Sequence, residues 1–380
     1  MQKYSERIKK LIEEDLIKMD EKFCSKRDKK RLKNVSTRKK SIFLCGYKLE
    51  IERRYYLDTK ENKHVFLLDE WLNIEKYQHF PKEEKEIICQ MVVKEKKTFN
   101  QVKMDYKNKF SINTICHLIK NQPIEYISNF NTEPRKFRFI YIDVDDTYGY
   151  LKINNKRHKF KFKVIHIYQD YEKGVGFKNE IKAVFLNEVH LDSEKSMKQT
   201  INEIKAILNQ YYGDLSNFEL VVSGDGARYI KTIAMNLESK LGLDKYHAYK
   251  RLHDTLKTSN LKKFHLSSDV LSSAKFAENN FANEGIQLLK EGKVDELNKQ
   301  LVDFKNNYGI NSKELNSSIS YFKNNKNGIK IWNNPNYFGT YTETFVQQLV
   351  KKYFGDVGKC YSLNTFMNIL KANCLVSFFN

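Results

Sequence analysis

Hydrophobic residues recur along this chain with two periodicities. A spacing of three to four residues is typical of helices, and a spacing of two residues is typical of strands. Residues 3–22 have the helical spacing, which predicts a polar amphipathic helix. The basic run that follows, residues 26–40, is typical of a solvated face or a mobile arm. Residues 42–58 then alternate as a β-hairpin does, and this hairpin would expose Arg53 and Arg54 for phosphate binding.

Three short helices are predicted between residues 82 and 121. Thr98 and Ser111 are suitable N-caps for the second and the third. Two helices joined by a tight turn suggest a helix-turn-helix, whose second helix lies in the major groove with its first residues on the bases. Those residues would be Asn113, Thr114 and His117. A small helical bundle that does not read DNA is the alternative.

From residue 137 onward, the alternation typical of strands predominates. The predicted order is strand, strand, strand, helix, strand, helix, over residues 137–144, 151–170, 182–191, 193–212, 218–227 and 227–241. Asn154-Asn155 marks a turn before the second strand, and Ser193 is a candidate N-cap. Antiparallel strands followed by a helix and a parallel strand predict an α/β (α+β) fold, with a mixed sheet and flanking helices.

The last third of the chain favours helices. Residues 248–328 lack a convincing strand pattern and predict an all-helical insertion, after which amphipathic helices return. We therefore divide the chain into an N-terminal helix, arm and hairpin, a helix-turn-helix-like region, the first part of the sheet core, the insertion, and the completion of the core. These segments are residues 1–80, 81–135, 136–247, 248–328 and 329–380.

The composition suits a folded protein that binds polyanions. Hydrophobic residues make up 41% of the 380 residues, which is enough for a core. Lys and Arg number 67 against 47 Asp and Glu, so the net charge is +20 and contacts with nucleic-acid phosphates are favoured. A biased genomic composition is the alternative explanation of this excess.

Neither export nor membrane insertion is expected. The apolar runs are too short to span a bilayer, and the N-terminus lacks the apolar stretch of a signal peptide. The six cysteines form no CxxC pair, which argues against a zinc ribbon or a disulfide framework, and Cys89 and Cys116 occupy core positions of helices. We expect a reducing, cytoplasmic and nucleoid-associated location, with no membrane partner.

Three aspartates lie at the end of the first strand of the predicted sheet, in the segment FRFIYIDVDDTYGY. They are Asp143, Asp145 and Asp146. A carboxylate at the end of a buried strand is costly unless it is paired or binds a metal ion. The aspartates could also be turn residues that accept backbone hydrogen bonds.

Two further acids could join this group. Asp225 ends the fourth predicted strand between two glycines, which allow close approach of backbone and substrate. Glu343 opens a helix whose apolar residues predict packing on the sheet. Mg²⁺ prefers oxygen ligands, and two such ions about 4 Å apart can catalyse displacement at a phosphodiester. The sequence thus predicts a possible metal site at the carboxyl ends of the strands.

The chain resembles bacterial DDE transposases with a ribonuclease H-like core, in the Mutator-related group of ISLre-type insertion sequences. The resemblance covers about residues 50–365 and rests on four segments, IYIDVDDTYGYLK, VVSGDGARYIK, LGLDKYHAYKRL and GTYTETFVQQLVKKYFGDVGKCYS. It implies that Asp145, Asp225 and Glu343 are the catalytic acids and bind two Mg²⁺ or Mn²⁺ ions. Asp143 and Asp146 compete with Asp145 for the first position.

The resemblance also implies that Asp244 and His247 are supporting residues near the site, although a structural histidine is the alternative. Lys351, Lys352 and Lys359 flank the third acid and are candidates for phosphate contact, or else belong to a solvated helix face. The sequence departs from the family pattern at two positions. Thr342 stands where alanine is usual, and Tyr361 where tryptophan is usual.

The expected function is that of a DNA transposase, which cleaves DNA strands at the ends of a mobile element and transfers them to target DNA. Its partners would be double-stranded DNA and further copies of the chain. One alternative is a catalytically inactive, transposase-derived accessory protein that binds DNA. Another is a ribonuclease H-like nuclease that cuts without joining.

Overall fold

The chain forms two compact units in a computed structural model. The structure describes residues 2–95, 97–107, 109–121, 126, 128, 130, 133–189, 193–256, 281–307, 312–354 and 360–379. The N-terminal unit comprises Met1–Glu125 and Asn364–Asn373, and the sheet unit comprises Tyr126–Leu363 and Cys374–Asn380.

A helix on a three-stranded antiparallel sheet opens the N-terminal unit. The helix is α1 (Gln2–Lys26), and the strands are β1 (Leu32–Leu44), β2 (Tyr47–Asp58) and β3 (Lys63–Val65), in the order β1-β2-β3. Leu16 of α1 packs with Leu49 and Ile51 of β2. The basic run of residues 26–40 is therefore no mobile arm, because from Leu32 onward it is hydrogen-bonded to β2.

The hairpin does not expose Arg53 and Arg54, and this prediction is wrong. Arg53 is buried, with its Nε 2.8 Å from Asp69 Oδ1 and its guanidinium over the Phe66 ring. Arg54 is half-buried and donates from Nη1 to Asp20 Oδ2 at 2.7 Å. Alternation along β2 could not reveal the two acids, since both come from other elements.

The three short helices are confirmed. The helices of this unit are α2 (Leu67–Trp71), α3 (Lys82–Val93), α4 (Phe99–Asp105) and α5 (Ile112–Asn121), together with most of Leu363–Lys371. Thr98 caps α4 in a capping box with Gln101, and Ser111 Oγ accepts the Thr114 N–H at 3.2 Å. Both predicted N-caps are therefore correct.

A six-stranded mixed sheet organises the second unit. Its strands are β4 (Phe139–Ile153), β5 (Lys156–Tyr168), β8 (Ile181–Glu188), β9 (Glu219–Gly224), β10 (Lys240–Leu243) and β11 (Leu375–Phe379). Their order in the sheet is β10-β9-β4-β5-β8-β11. A separate hairpin comprises β6 (Asp170–Glu172) and β7 (Gly176–Lys178). Antiparallel pairs join β4 to β5 and β5 to β8, whereas β9 runs parallel to β4 and β10 to β9. The predicted α/β class with a mixed sheet is confirmed.

Helices cover both faces of this sheet. One face, with Ile140, Ile142 and Val144 of β4, packs against α6 (Ser193–Tyr212) and α7 (Arg228–Asn236). The other face, with Tyr141, packs against a second set of helices. These are α8 (Lys245–Leu256), residues 281–290, Val294–Asn307, Lys313–Asn324 and Lys326–Lys330. The described residues of the predicted insertion are helical and contain no strand.

The sheet extends further than the sequence pattern indicated. Strand β4 continues through the aspartates to Ile153, and the turn at Asn154 and Asn155 has the positive φ angles, 48° and 64°, of a tight hairpin. Strands β10 and β11 were not predicted, since each has only four or five residues. Short 3₁₀ segments lie at Pro134–Lys136, Leu215–Asn217 and Ile331–Asn333.

The helix that carries Glu343, here called the Glu343 helix, is interrupted by a wider turn. It comprises Thr342–Val346, a π-helical turn over Gln347–Lys351, and Lys352–Phe354. Phe345, Val346, Leu349 and Val350 are buried, so the predicted apolar face is confirmed. No helix in the described part of the chain is long and apolar enough to cross a membrane.

Candidate active site

Asp145 lies on β4, and Asp225 lies one residue beyond the end of the neighbouring strand β9. Asp143 of β4 is in register with Ser223 of β9, and each candidate acid follows two residues later. Successive side chains alternate between the faces of a strand, and neighbouring strands lie about 4.8 Å apart. Asp145 is therefore within β4 rather than at its end, beside the point where β9 stops and the Asp225 turn begins.

Glycines allow this close approach. A Cβ on Gly224 would lie 2.5 Å from the Val144 carbonyl oxygen and would also meet Ile230. Gly226 has φ +85°, a conformation that favours glycine. Tyr321, from the helical insertion, donates its hydroxyl to the Asp225 carbonyl at 2.8 Å. The turn is thus fixed by β4 on one side and by the insertion on the other.

Each of the three candidate acids uses a carboxylate oxygen in a local contact. Asp145 Oδ1 accepts the Asp146 N–H at 2.7 Å, and Asp225 Oδ1 accepts the Ala227 N–H at 2.8 Å. Glu343 Oε1 accepts from Lys351 Nζ at 2.9 Å on an exposed part of its helix. The alternative of a turn residue therefore describes part of what Asp225 does, since its carboxylate bonds to the backbone two residues ahead.

The charges of Asp225 and Glu343 act on Asp145. The pKa of Asp145 is raised to about 6, first by burial and then by the negative charges of Asp225 and Glu343. The Asp146 N–H and the nearby His247 oppose this rise. Asp225 is 80 positions after Asp145 (225 − 145) and Glu343 is 198 positions after it (343 − 145). Both nevertheless lie close enough for their charges to affect its carboxyl group.

Asp244 and His247 form a hydrogen-bonded pair next to these acids. The Asp244 N–H bonds to the Gly224 carbonyl at 2.8 Å, which ties the end of β10 to the end of β9. Asp244 Oδ2 accepts from His247 Nδ1 at 2.8 Å. This bond is the largest cause of the raised pKa of His247, and the charges of Asp145 and Asp225 add to it. The imidazolium form is therefore favoured where negative charge collects.

Asp146 occupies the other face of β4. Its carboxylate pairs with Lys163 at 2.6 Å and with Lys161 at 2.7 Å. Both lysines belong to the neighbouring strand β5, and Lys163 Nζ lies 3.7 Å from the centroid of the Tyr229 ring. This carboxylate is therefore engaged in an ion-pair cluster with two lysines of β5.

Asp143 shares the face of Asp145 but is fully buried. Its Oδ2 accepts the Tyr341 N–H at 3.0 Å, immediately before the Glu343 helix begins. Burial raises its pKa well above the ordinary range, and this favours the neutral carboxyl group. Asp143 thus fastens the start of the Glu343 helix to β4, a role that the sequence pattern did not indicate.

The predicted DNA-binding residues have mixed surroundings. Asn113 and His117 are exposed on α5, whereas Thr114 is half-buried. Thr114 and His117 line a cavity of about 950 Å³ within the N-terminal unit. In the sheet unit, Lys351 is paired with Glu343 and Lys352 is exposed. Lys359 lies outside the described residues.

The donor chemistry of the acid cluster suits a hard cation, since carboxylate oxygens are the ligands that Mg²⁺ and Mn²⁺ prefer. In this conformation the described residues contain no group of three His, Cys, Asp or Glu side chains close enough to hold an ion. The carboxylates would have to turn toward one another to share a metal. Burial is the main cause of the raised pKa of Asp145, and a cation would offset the smaller contribution from the charges of Asp225 and Glu343.

These observations define a mixed α/β protein whose central sheet carries acidic side chains on or next to adjacent strands. The chain matches the uncharacterised protein family UPF0236 over residues 1–335 and belongs to that family. The match includes Asp145, Asp225, Asp244 and His247 and ends before Glu343.

Two curated relatives come from Caldanaerobacter subterraneus subsp. tengcongensis. One UPF0236 protein is 23% identical over 329 residues, which cover 86% of this chain and 63% of the relative. Another is 23% identical over 246 residues, which cover 64% of this chain and 49% of the relative. The chain thus spans about half to two thirds of the length of these relatives. The name of the second relative joins several loci of one genome.

Proposed function

We propose that the chain is a DNA transposase, a metal-dependent polynucleotidyl transferase that cleaves DNA at the ends of a mobile element and joins it to target DNA. The observation that carries the proposal is the electrostatic convergence of Asp145, Asp225 and Glu343, from two neighbouring strands and a distant helix. Clustered carboxylates in a strongly basic chain suit a cation that acts on phosphodiesters.

The sheet topology supports a ribonuclease H-like core. Strands β4, β5 and β8 form an antiparallel meander, and α6, β9, α7 and β10 then add two parallel strands on the other side of β4. The central strand therefore carries the first acid, and the strand added beside it leads to the second. The helical insertion separates the second acid from the third.

Asp145, Asp225 and Glu343 would hold the divalent ions, which supply Lewis acidity and neutralise charge on the phosphodiester. The chain's own residues would set the geometry around them. Asp244 orients the His247 ring, whose cationic form can hold a phosphate oxygen or one of the carboxylates. Asp143 keeps the Glu343 helix against β4. Catalysis of this kind depends mainly on positioning and electrostatic stabilisation.

The family comparison adds support of a different kind. A relative whose name joins several loci of one genome is encoded by a sequence present in several copies. Such repetition is expected of mobile elements. It bears on this chain only through their common family.

The experiment uses the full chain with a plasmid that carries its gene and the native flanking DNA, in MgCl₂ or MnCl₂. We expect nicked or linear products and joined products on a gel. Asp225→Asn should reduce both by at least about 100-fold, since even residues that only orient metal ligands cost 10- to 100-fold. Asp303→Asn, on an exposed part of the helical insertion, is the matched control and should retain activity.

Other outcomes would select the alternatives. Equal DNA binding by wild type and Asp225→Asn, with no cutting by either, would identify an accessory DNA-binding protein. Cutting without joined products would identify a nuclease. Equal activity of wild type and Asp225→Asn would remove the proposed acid from the mechanism.

A further inference from the structure

The hairpin of β4 and β5 presents a second surface, apart from the acids. Its outer face alternates aromatic and basic side chains, and we call it the Tyr-Lys ladder. The ladder comprises Tyr148, Tyr150 and Lys152 of β4 with Arg157, Lys159 and Lys161 of β5. The register pairs Tyr148 with Lys161, Tyr150 with Lys159, and Lys152 with Arg157, so all six share one face. In the sequence, only the Tyr-x-Tyr and Lys-x-Lys spacings point to this face, and the register of β4 and β5 is needed to bring the two segments together.

The two tyrosine rings are accessible and bordered by cations. Tyr148 is 53% exposed and Tyr150 is 47% exposed. Lys159 Nζ lies 5.0 Å from the centroid of the Tyr148 ring, and the Arg157 guanidinium lies 5.2 Å from that of Tyr150. Because a strand rises about 3.4 Å per residue, the backbone positions that carry the two rings are about 7 Å apart along β4. Flat rings at this spacing can each stack on one base of an extended strand.

The opposite face of the hairpin holds the ladder in place. Leu151, Phe160 and Phe162 are fully buried there. A Cβ on Gly149 would lie 2.9 Å from the Phe354 ring, so the Glu343 helix packs closely against the hairpin. The outward side chains therefore project from a fixed two-stranded support.

Positive charge continues from the ladder onto the neighbouring helices. Lys161 and Lys163 border the Tyr229 ring, and Asp146 offsets part of their charge. Tyr229 and Arg228 of α7 line a groove of about 730 Å³ together with α6, whose Lys198 and Lys205 contribute further positive charge. Glu194 also lines the groove. A polyanion lying on the ladder would thus meet a basic path.

We propose that the Tyr-Lys ladder binds a single-stranded segment of DNA, with bases stacked on Tyr148 and Tyr150. Arg157, Lys159 and Lys152 would contact the phosphates. A paired duplex keeps its base faces stacked inside, so exposed rings add binding energy only when the bases are free. The choice of DNA rests on the proposed function, whereas the surface does not require the acids to be catalytic.

The test measures fluorescence anisotropy of a labelled oligo(dT) and of a duplex of equal length, with the full chain. Tyr148→Ala/Tyr150→Ala should weaken oligo(dT) binding by roughly tenfold per ring lost. The change on the duplex should be smaller. Tyr148→Phe/Tyr150→Phe retains the rings and should bind as wild type does. Tyr4→Ala removes an exposed tyrosine of α1 and is the control. Thermal melts monitored by circular dichroism check that each variant is folded.

A second pair of variants tests the charges. Arg157→Ala/Lys159→Ala should weaken oligo(dT) binding and reduce the slope of log affinity against log salt by about 1.4, since each single-strand phosphate contact contributes about 0.7. Lys290→Ala/Lys299→Ala removes the same charge from exposed positions of the helical insertion. This control should leave the slope unchanged.

Three results would overturn the proposal. The first is that wild type does not bind oligo(dT). The second is that folded Tyr148→Ala/Tyr150→Ala binds oligo(dT) with the same affinity as wild type. The third is that this variant loses as much affinity for the duplex as for oligo(dT). The fate of the catalytic proposal is read separately. A wild type that binds oligo(dT) through the two rings but does not cut DNA would contradict only the catalytic proposal.

Discussion

Three aspartates within four positions of β4 have three different environments, and burial and partners separate them. Asp143 is fully buried beneath the start of the Glu343 helix, and Asp146 is neutralised by two lysines on the other face. Asp145 is half-buried and senses the charges of Asp225 and Glu343. Among the three, Asp145 has the surroundings that suit a metal ligand.

Asp143 gives a stability prediction. Asp143→Ala removes the acceptor of the Tyr341 N–H and should lower the free energy of unfolding by about 2–3 kcal/mol, the cost of an unpaired buried donor. Asp143→Asn keeps an acceptor oxygen and resembles the neutral carboxyl group, so its loss should stay within about 1 kcal/mol. Urea denaturation measures both. Equal losses for the two variants would show that this hydrogen bond is unimportant.

His166 gives a prediction for pH. Burial lowers its pKa from 6.5 to about 4, against the opposing effect of Glu180, which bonds to its Nε2 at 2.9 Å. Between pH 6.5 and 4 the unfolded chain binds a proton that the folded protein does not, so stability from this residue falls as the pH falls. The full loss is about 3 kcal/mol, at about 1.4 kcal/mol per pH unit.

The comparison is with His166→Gln, which cannot titrate but can still bond to Glu180. Between pH 6.5 and 4 this variant should lose up to about 3 kcal/mol less stability than wild type. Urea denaturation at several pH values measures the difference. Asp143, whose pKa is raised, pulls the other way. Because His166 Nδ1 lies 4.0 Å from Asp143 Oδ2, both proteins are also compared in an Asp143→Asn background, where this carboxyl group cannot titrate. Parallel pH profiles would mean that folding does not lower the pKa of His166.

At the scale of elements, the junction of β4, β9 and α7 depends on Gly224. Gly224→Ala places a Cβ 2.5 Å from the Val144 carbonyl oxygen, a backbone atom that cannot rotate away. We expect a loss of about 3 kcal/mol in the free energy of unfolding, at the upper end for overpacking. Gly213→Ala is the control, because Gly213 has positive φ but open space, and should cost about 1 kcal/mol. A smaller loss at Gly224 than at Gly213 would contradict the steric argument.

Local patterns predicted the elements that local chemistry determines. Helix α6 begins and ends where its periodicity predicted, and Thr98, Ser111 and the Asn154-Asn155 turn have the expected roles. Strands that depend on distant partners were missed or shortened. Residues 145–153 continue β4 because β5 pairs with them, and β11 exists because it pairs with β8. Neither pairing can be predicted from the residues of the segment concerned, 145–153 or β11, without knowledge of the partner strand.

The whole molecule shows the same division between local and distant information. Strand ends and a helix start made Asp145, Asp225 and Glu343 candidates, and the family resemblance selected them and added Asp244 with His247. The sequence could not indicate that Asp69 pairs with Arg53 and Asp20 with Arg54. Nor could it indicate that Asp143 accepts a hydrogen bond from Tyr341, 198 residues later (341 − 143), at the start of the Glu343 helix. Net charge was visible in the composition, but its concentration on one hairpin face required the register of β4 and β5.

Metal binding should therefore be visible in the stability of the whole molecule. Burial first, and then the charges of Asp225 and Glu343, raise the pKa of Asp145, so its ionised form is unfavourable without a cation. Mg²⁺ or Mn²⁺ at about 100 times its dissociation constant should stabilise the folded chain by about 2.7 kcal/mol, since an ion that binds only the folded state shifts unfolding by mass action. Thermal unfolding with and without metal measures this increment.

Asp145→Asn separates the metal increment from general stability. Without metal the variant should melt at or above the wild-type temperature, because it removes one of the mutually repelling charges. With metal it should gain much less than wild type, because a ligand is missing. Asp303→Asn should show the full wild-type increment. An equal increment in wild type and Asp145→Asn would mean that the ion binds elsewhere, and the acids would then be a repulsive cluster whose function must lie outside metal catalysis.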